Sequence, residues 1–173
     1  DEKEAVARIP PNDLNQLLKR LRDARLEFVV IGGYAAILHG SSRVTRDLDV
    51  CAVLDSNAVQ RLRSTLADLN PVHRMTPQRL SFLDSPAIDV AIHNLYLDTD
   101  LGQVDLITAI TGIGGYSEAS NDAIEAVIFG EAYKVLSLDN LIRTKRALRR
   151  DKDLFVEREL LAIKAKLDPQ DRT

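Results

Sequence analysis

The chain predicts an α/β (α+β) domain, and three observations carry that prediction. Its 173 residues suffice for one domain that buries roughly 70% of the surface its unfolded chain exposes. Short apolar runs such as Phe28–Ile31 alternate with segments whose leucines recur at helical spacing. No repeat, low-complexity tract or convincing linker divides the sequence. We therefore expect a single domain over 1–173, with a core at about 27–115 and a helical C-terminal part at about 116–173.

Pro10-Pro11 opens a helix expected from about Asn12 to Leu26, with Leu14, Leu17, Leu18 and Leu21 as its apolar stripe. Phe28-Val29-Val30-Ile31 reads as a buried strand ending at Gly32-Gly33. A short helix, Tyr34 to His39, stops at Gly40. The polar loop Ser41–Arg46 leads into a strand from Asp47 to Val53. A second amphipathic helix covers about Asn57–Leu69, with Val59, Leu62, Leu66 and Leu69 on one side, and Asn70-Pro71 ends it. The stretch Pro71–Pro86 is the least patterned. Ile88–Leu97 and Gln103–Ile107 read as strands joined by a hairpin near Asp98–Gly102. Thr111–Gly115 reads as a loop, Ser117–Ile128 as a helix and Lys134–Leu136 as a short strand. Ser137 caps a helix to about Arg149, and a final helix runs from about Asp153 to Leu167.

Composition narrows the function classes. A net charge of −3 makes no global case for nucleic-acid binding, although a local basic cluster is present. The single Cys51 excludes an intramolecular disulfide framework and fits a reducing, cytoplasmic compartment. No apolar run approaches the roughly 18 residues of a membrane span, and no secretory leader or lipidation motif is read, so we expect no membrane partner. Aromatics make up 5% of the chain and Trp is absent, which limits base-stacking surfaces for single-stranded RNA.

The chemistry concentrates in Arg46-Asp47-Leu48-Asp49-Val50. In a strand, residues i and i+2 share a face, so both carboxylates project together while Leu48 and Val50 face the other way. Asp is depleted in strands and like charges on one face repel. A hard divalent cation, Mg2+ or Mn2+, would neutralise them. Thirteen residues upstream, Gly32-Gly33 closes an apolar strand. Glycines let a backbone approach a phosphate closely, and N–H groups at the start of a following helix favour anions. This order suits a nucleoside triphosphate. A third carboxylate is usual for two-metal chemistry, with ions about 3.5–4 Å apart. Asp105, in Val104-Asp105-Leu106, and Asp89, in Ile88-Asp89-Val90, both have the apolar-Asp-apolar setting.

Ile31-Gly32-Gly33, then thirteen residues, then Asp47-Leu48-Asp49-Val50 resembles the signature of the DNA polymerase β-like nucleotidyltransferase superfamily. The wider wording, including Leu97–Leu106, Val135–Lys145 and Arg150-Asp151-Lys152-Asp153, is similar to its small bacterial branch near the abortive-infection type toxins. The resemblance spans about Phe28 to Leu160. It implies a mixed sheet flanked by helices and transfer of a nucleoside monophosphate from an NTP to an acceptor hydroxyl. It implies Asp47 and Asp49 as metal ligands and Asp105, in preference to Asp89, as the third carboxylate, positioned to help deprotonate the acceptor. Gly33 stands where many relatives have Ser, which removes a hydroxyl contact to phosphate. Thr45 and Arg46 flank the metal pair and are candidate nucleotide contacts. The structural alternative for Asp105 is an ion pair with a buried arginine.

Lys145 follows Leu141 by four and Ile142 by three, so it lies on or beside the apolar stripe of its helix. A lysine there must snorkel, pair with an acid or reach into a cleft. The resemblance implies that it faces the triphosphate, and Arg149 one turn later and Lys152 about another turn on would give the site a cationic wall. Arg143, Lys145, Arg146, Arg149, Arg150 and Lys152 form a cluster open to two readings, a solvated face or a contact to phosphate or RNA backbone. His39 reads as a dipole or packing residue, and His73 and His93 are assigned no chemistry. Gly114-Gly115 reads as a connection.

Three functions compete. The leading one is a metal-dependent nucleotidyltransferase acting on an RNA 3′ end such as that of tRNA, or on a protein hydroxyl, and a component of a toxin–antitoxin pair. The second is a non-catalytic nucleotide-binding or interaction module. The third, an antibiotic nucleotidyltransferase, ranks lower because an acidic acceptor pocket is usually supplied by extra helices, whereas this C-terminal part is basic and leaves few residues to spare. The acceptor, the NTP base and the oligomeric state are not legible in the sequence.

Overall fold

The computed structural model describes residues 12–168. The helix-opening pair Pro10-Pro11 lies outside them. Helix α1 (Asn12–Asp23) buries Leu14, Leu17, Leu18 and Leu21, the predicted stripe. Strand β1 (Phe28–Ile31) is buried at all four positions, as a central strand with an uninterrupted apolar run must be. Helix α2 (Gly32–Leu38) follows directly, then β2 (Asp47–Ala52). Helix α3 (Ser56–Leu66) is capped by Asp55, whose carboxylate accepts from the Ala58 amide at 2.8 Å, and it tightens into a single turn at Ala67–Leu69. Its side facing inward is Val59, Leu62, Leu66 and Leu69.

Strands β3 (Val72–His73), β4 (Asn94–Thr99) and β5 (Gly102–Ile107) come next. A separate small hairpin pairs β6 (Ala109–Ile110) with β7 (Gly114–Gly115), giving the expected loop a two-stranded base. Helix α4 (Tyr116–Asn121), strands β8 (Ile124–Ile128) and β9 (Glu131–Val135), and helices α5 (Leu138–Leu148) and α6 (Asp151–Leu167) complete the fold. The sheet has seven strands in the order β3-β4-β5-β2-β1-β9-β8. It is mixed: β2 runs parallel to β5 and β1 parallel to β9, and the other neighbours are antiparallel. α1 lies on β2 and β5, while α5 and α6 pack on each other.

Three expectations are corrected. The helix predicted over Ser117–Ile128 stops at Asn121, and Ile124–Ile128 is the edge strand of a hairpin with β9. Phe129 and Gly130 both have positive φ (48° and 80°), the primed-turn geometry that matches strand twist. The one sequence clue was the residue–Gly pair, Phe129-Gly130, that closes the hairpin. The strand predicted from Ile88 begins only at Asn94, because its partner β5 ends at Ile107, directly opposite Asn94. Strand β9 covers Glu131–Val135 rather than Lys134–Leu136, and the Leu136 amide then donates to the Val30 carbonyl at 2.9 Å.

Candidate active site

The parallel pairing of β2 with β5 places Asp47 opposite Gln103 and Asp49 opposite Asp105. Leu48, Val50, Val104 and Leu106 turn to the other face and are fully buried. That apolar layer fixes the register, because a one-residue slip would drive the aspartates into it. Asp49 and Asp105 therefore share one face across neighbouring strands, with Asp47 two residues along. Burial pushes the Asp49 carboxyl up to about 6, the charges of Asp105 and Asp47 push the same way, and Lys145 and Arg74 partly offset them. Among the described residues, no hydrogen-bond or ion-pair partner meets the side chains of Asp47 or Asp49.

Gly32 closes the site against Asp49. Its φ is +66°, and a Cβ there would overlap Asp49 Oδ2 and lie 3.0 Å from the Asp49 Cβ. Only glycine combines that backbone with that approach. Gly33 abuts Thr45 instead: a Cβ would sit 3.1 Å from Thr45 Oγ1. Thr45 in turn donates to the Asp47 carbonyl at 3.2 Å and accepts from its amide at 3.4 Å, pinning the start of β2. Any side chain at position 33 would crowd Thr45. Helix α2 is only seven residues long, so its dipole is a minor contributor to anion binding.

A cavity of about 370 Å³ opens over this face. Gly32, Asp49, Tyr96 and Asp105 line its sheet side, and Thr144, Lys145 and Arg150 its helical side. Ile107, Ile110, Leu136, Leu141 and Leu148 supply apolar walls. Lys145 both reaches the cleft and pairs with an acid: its Nζ lies 3.3 Å from Asp153 Oδ1. Asp153 is 1% exposed and also accepts from Arg150 Nε at 2.6 Å, Arg150 Nη2 at 3.2 Å and the Arg150 amide at 3.1 Å. The Arg150 guanidinium, then Lys145, holds the Asp153 carboxyl down to about 2.

Several predicted residues fall elsewhere. Arg149 ends α5 in the left-handed region (φ 52°), is exposed and is not on the cavity wall; the next residue, Arg150, takes that place. Thr45, Arg46, Gly33 and Asp47 border the Asp49 corner without lining the cavity, and Arg46 is exposed. Asp89 is exposed in a loop beside a separate depression with Asp55 and Ser56, so Asp105 is the acid facing Asp49. His39 Nε2 contacts the Leu136 carbonyl at 2.8 Å and His73 Nε2 the Ser85 carbonyl at 2.6 Å, both structural contacts.

Sequence reasoning missed Arg74, which lies in the unpatterned stretch after β3. Its guanidinium grips Asp105 with both arms, Nη1 to Oδ1 at 2.6 Å and Nη2 to Oδ2 at 3.1 Å. The structural alternative for Asp105 is therefore realised, on a residue that also lines the cavity. The fit to a metal follows from this. Asp47 and Asp49 offer unpaired carboxylates on one face, the donor set a hard cation takes together with phosphate oxygens. Asp105 has both oxygens committed, and no group of three or more His, Cys, Asp or Glu among the described residues is placed to hold a metal ion. The residues fit one cation on two carboxylates, not a three-carboxylate centre.

Residues 11–96 match the family described as Nucleotidyltransferase of unknown function (DUF6036). The crystal structure of the lincosamide antibiotic adenylyltransferase LnuA, lincomycin-bound, is similar in fold, with a TM-score of 0.57 at 17% identity over 90% of this chain and 99% of that one. No curated protein matches the chain. The family match covers just under half of the chain, at the β1–α2–β2 part of the site, and the likeness to the adenylyltransferase is one of fold. Among the described residues no helix is long and apolar enough to cross a membrane.

Proposed function

We propose that the protein is a metal-dependent nucleotidyltransferase that moves a nucleoside monophosphate from an NTP to an acceptor hydroxyl. The observation that carries this is the placement of Asp49 and Asp105 in register across β2 and β5, with Lys145 and Arg150 on the opposite wall of one cavity. Asp47 and Asp49 would hold Mg2+ or Mn2+, which when bound would neutralise phosphate charge and polarise the α-phosphate. Gly32 lets the triphosphate approach the β1–α2 corner. Lys145 and Arg150 face the charge that builds on the leaving pyrophosphate. The acceptor oxygen bonds to the α-phosphorus, the bridging bond to the β-phosphate breaks with its electron pair leaving on pyrophosphate, and the acceptor proton passes to Asp105.

The acceptor is an RNA 3′ end, such as that of tRNA, or a protein hydroxyl, with the exposed Arg143, Arg149 and Lys152 as contacts to its phosphate backbone. A neutralising antitoxin partner belongs to this reading. A second reading, a small hydroxyl-bearing antibiotic as acceptor, is favoured by the apolar walls of the cavity. Size does not count against it, since the antibiotic adenylyltransferase is matched over 99% of its own chain. The test is label transfer from each α-phosphate-labelled NTP with Mg2+, offered tRNA, cell lysate protein and lincosamides. Label that depends on Asp49 supports the reading and names the acceptor. NTP binding without transfer to any acceptor would favour a non-catalytic nucleotide-binding module.

A further inference from the structure

We propose that Arg74 assigns Asp105 to the acceptor side of the site and limits the cavity to a single divalent cation, held by Asp47 and Asp49. This rests on the nucleotidyltransferase reading and deepens it. The two-armed contact at 2.6 and 3.1 Å satisfies both Asp105 oxygens in the planar geometry that makes guanidinium–carboxylate pairs strong. Arg74 is not a loose surface side chain. Its amide donates to the Tyr96 carbonyl at 2.8 Å, and its guanidinium lies over the Tyr96 ring, 5.7 Å from the centroid. Tyr96 is itself the cross-strand partner of Asp105. Arg74, Tyr96 and Asp105 thus form one unit on the sheet face, with Arg74 and Asp105 only 22% and 20% exposed.

Charge leads to the same count. Asp47, Asp49 and Asp105 carry three negative charges, and Arg74 cancels one. The remaining two match one divalent ion. On the helical side, Lys145 and Arg150 already share Asp153. A second ion about 3.5–4 Å from the first would need an oxygen of Asp105 as a ligand and would face the fixed guanidinium at close range. With no metal on Asp105, the lone pair each oxygen keeps beside its Arg74 contact is left to orient and accept the proton of the incoming hydroxyl. Arg74 is a positioning residue: it acts through Asp105.

The experiment counts Mn2+ bound per chain by electron paramagnetic resonance, at saturating α,β-methylene ATP and its three base congeners, with circular dichroism melts to verify folding. The expected result is one Mn2+ in the unmodified protein, two in Arg74→Gln, and one again in Arg74→Gln combined with Asp105→Asn. Arg74→Lys, which keeps the charge, stays at one. Two ions in the unmodified protein would overturn the inference and leave the nucleotidyltransferase reading standing. One ion in both the unmodified protein and Arg74→Gln would overturn the role given to Arg74. No bound Mn2+ at all would overturn the Asp47–Asp49 site itself, and the inference with it. If Arg74→Gln does not fold, the count in the unmodified protein still decides between one ion and two.

Discussion

Replacing Gly32 by alanine tests the corner where β1 meets the carboxylates. Two costs follow from the structure. The φ of +66° is left-handed, which costs a non-glycine residue about 1–2 kcal/mol. Alanine returns about 0.4–1 kcal/mol by reducing the freedom of the unfolded chain. The new Cβ also overlaps Asp49 Oδ2 and comes within 3.1 Å of its Cγ, so β2 or the Asp49 side chain must shift, at roughly 1–3 kcal/mol. Gly130 supplies the control. Its φ is +80°, but nothing lies within 4 Å of a Cβ built there, so Gly130→Ala carries the backbone cost alone. Urea and thermal melts in chelator should therefore show Gly130→Ala below the parent by up to about 1.6 kcal/mol and Gly32→Ala lower by roughly a further 1–3 kcal/mol. For a domain of this size that is about 2–4 °C per kcal/mol. Equal losses for the two variants would refute the claim that Asp49 packs against the Gly32 backbone.

Four further outcomes are expected. Asp47→Asn and Asp49→Asn should each abolish label transfer with melting temperatures unchanged or higher; wild-type turnover in either would remove that residue from the chemistry. Lys145→Ala should weaken triphosphate binding about tenfold or more, the worth of a hydrogen bond to a charged group, and unchanged calorimetric affinity would return Lys145 to a structural role. Asp153 has a carboxyl held down to about 2, below its ordinary unfolded value of about 3.9. Its contribution to stability is complete above about pH 4 and is lost as pH falls towards 2. Asp153→Asn should thus lower stability at pH 6 and flatten the acid limb of a pH–melting curve, and an unaltered limb would contradict the Arg150–Asp153–Lys145 arrangement. Arg149→Glu with Lys152→Glu, both exposed, should reduce tRNA affinity most at low salt; the same affinity at low salt would remove the RNA acceptor.

Much of the fold was legible because burial writes a period into the chain. The stripe of α1, the four-residue run of β1, the alternation through Asp47–Ala52 and the cap at Ser137 all reflect local chemistry: Ser137 Oγ accepts from the Asn140 amide at 3.1 Å. The β8–β9 hairpin was not read, because five residues hold too few periods to separate a strand from the end of a helix. The extent of β4 was also misjudged, since it depends on where its partner ends.

The candidate site divides along the same line. Sequence by itself determined that Asp47 and Asp49 share a face, that Gly32 ends a buried strand and that Lys145 must find an acid or a cleft. Each of these follows from contacts within a few residues along the chain. Only the tertiary structure decided that Asp105 rather than Asp89 stands opposite Asp49, that Arg150 rather than Arg149 reaches the cavity, and that Arg74 takes both oxygens of Asp105. Those outcomes depend on the register of two parallel strands, on the left-handed turn at Arg149 and on a side chain arriving from 31 residues away. None of these leaves a periodic trace in the sequence, because the groups they bring together are neighbours only in space.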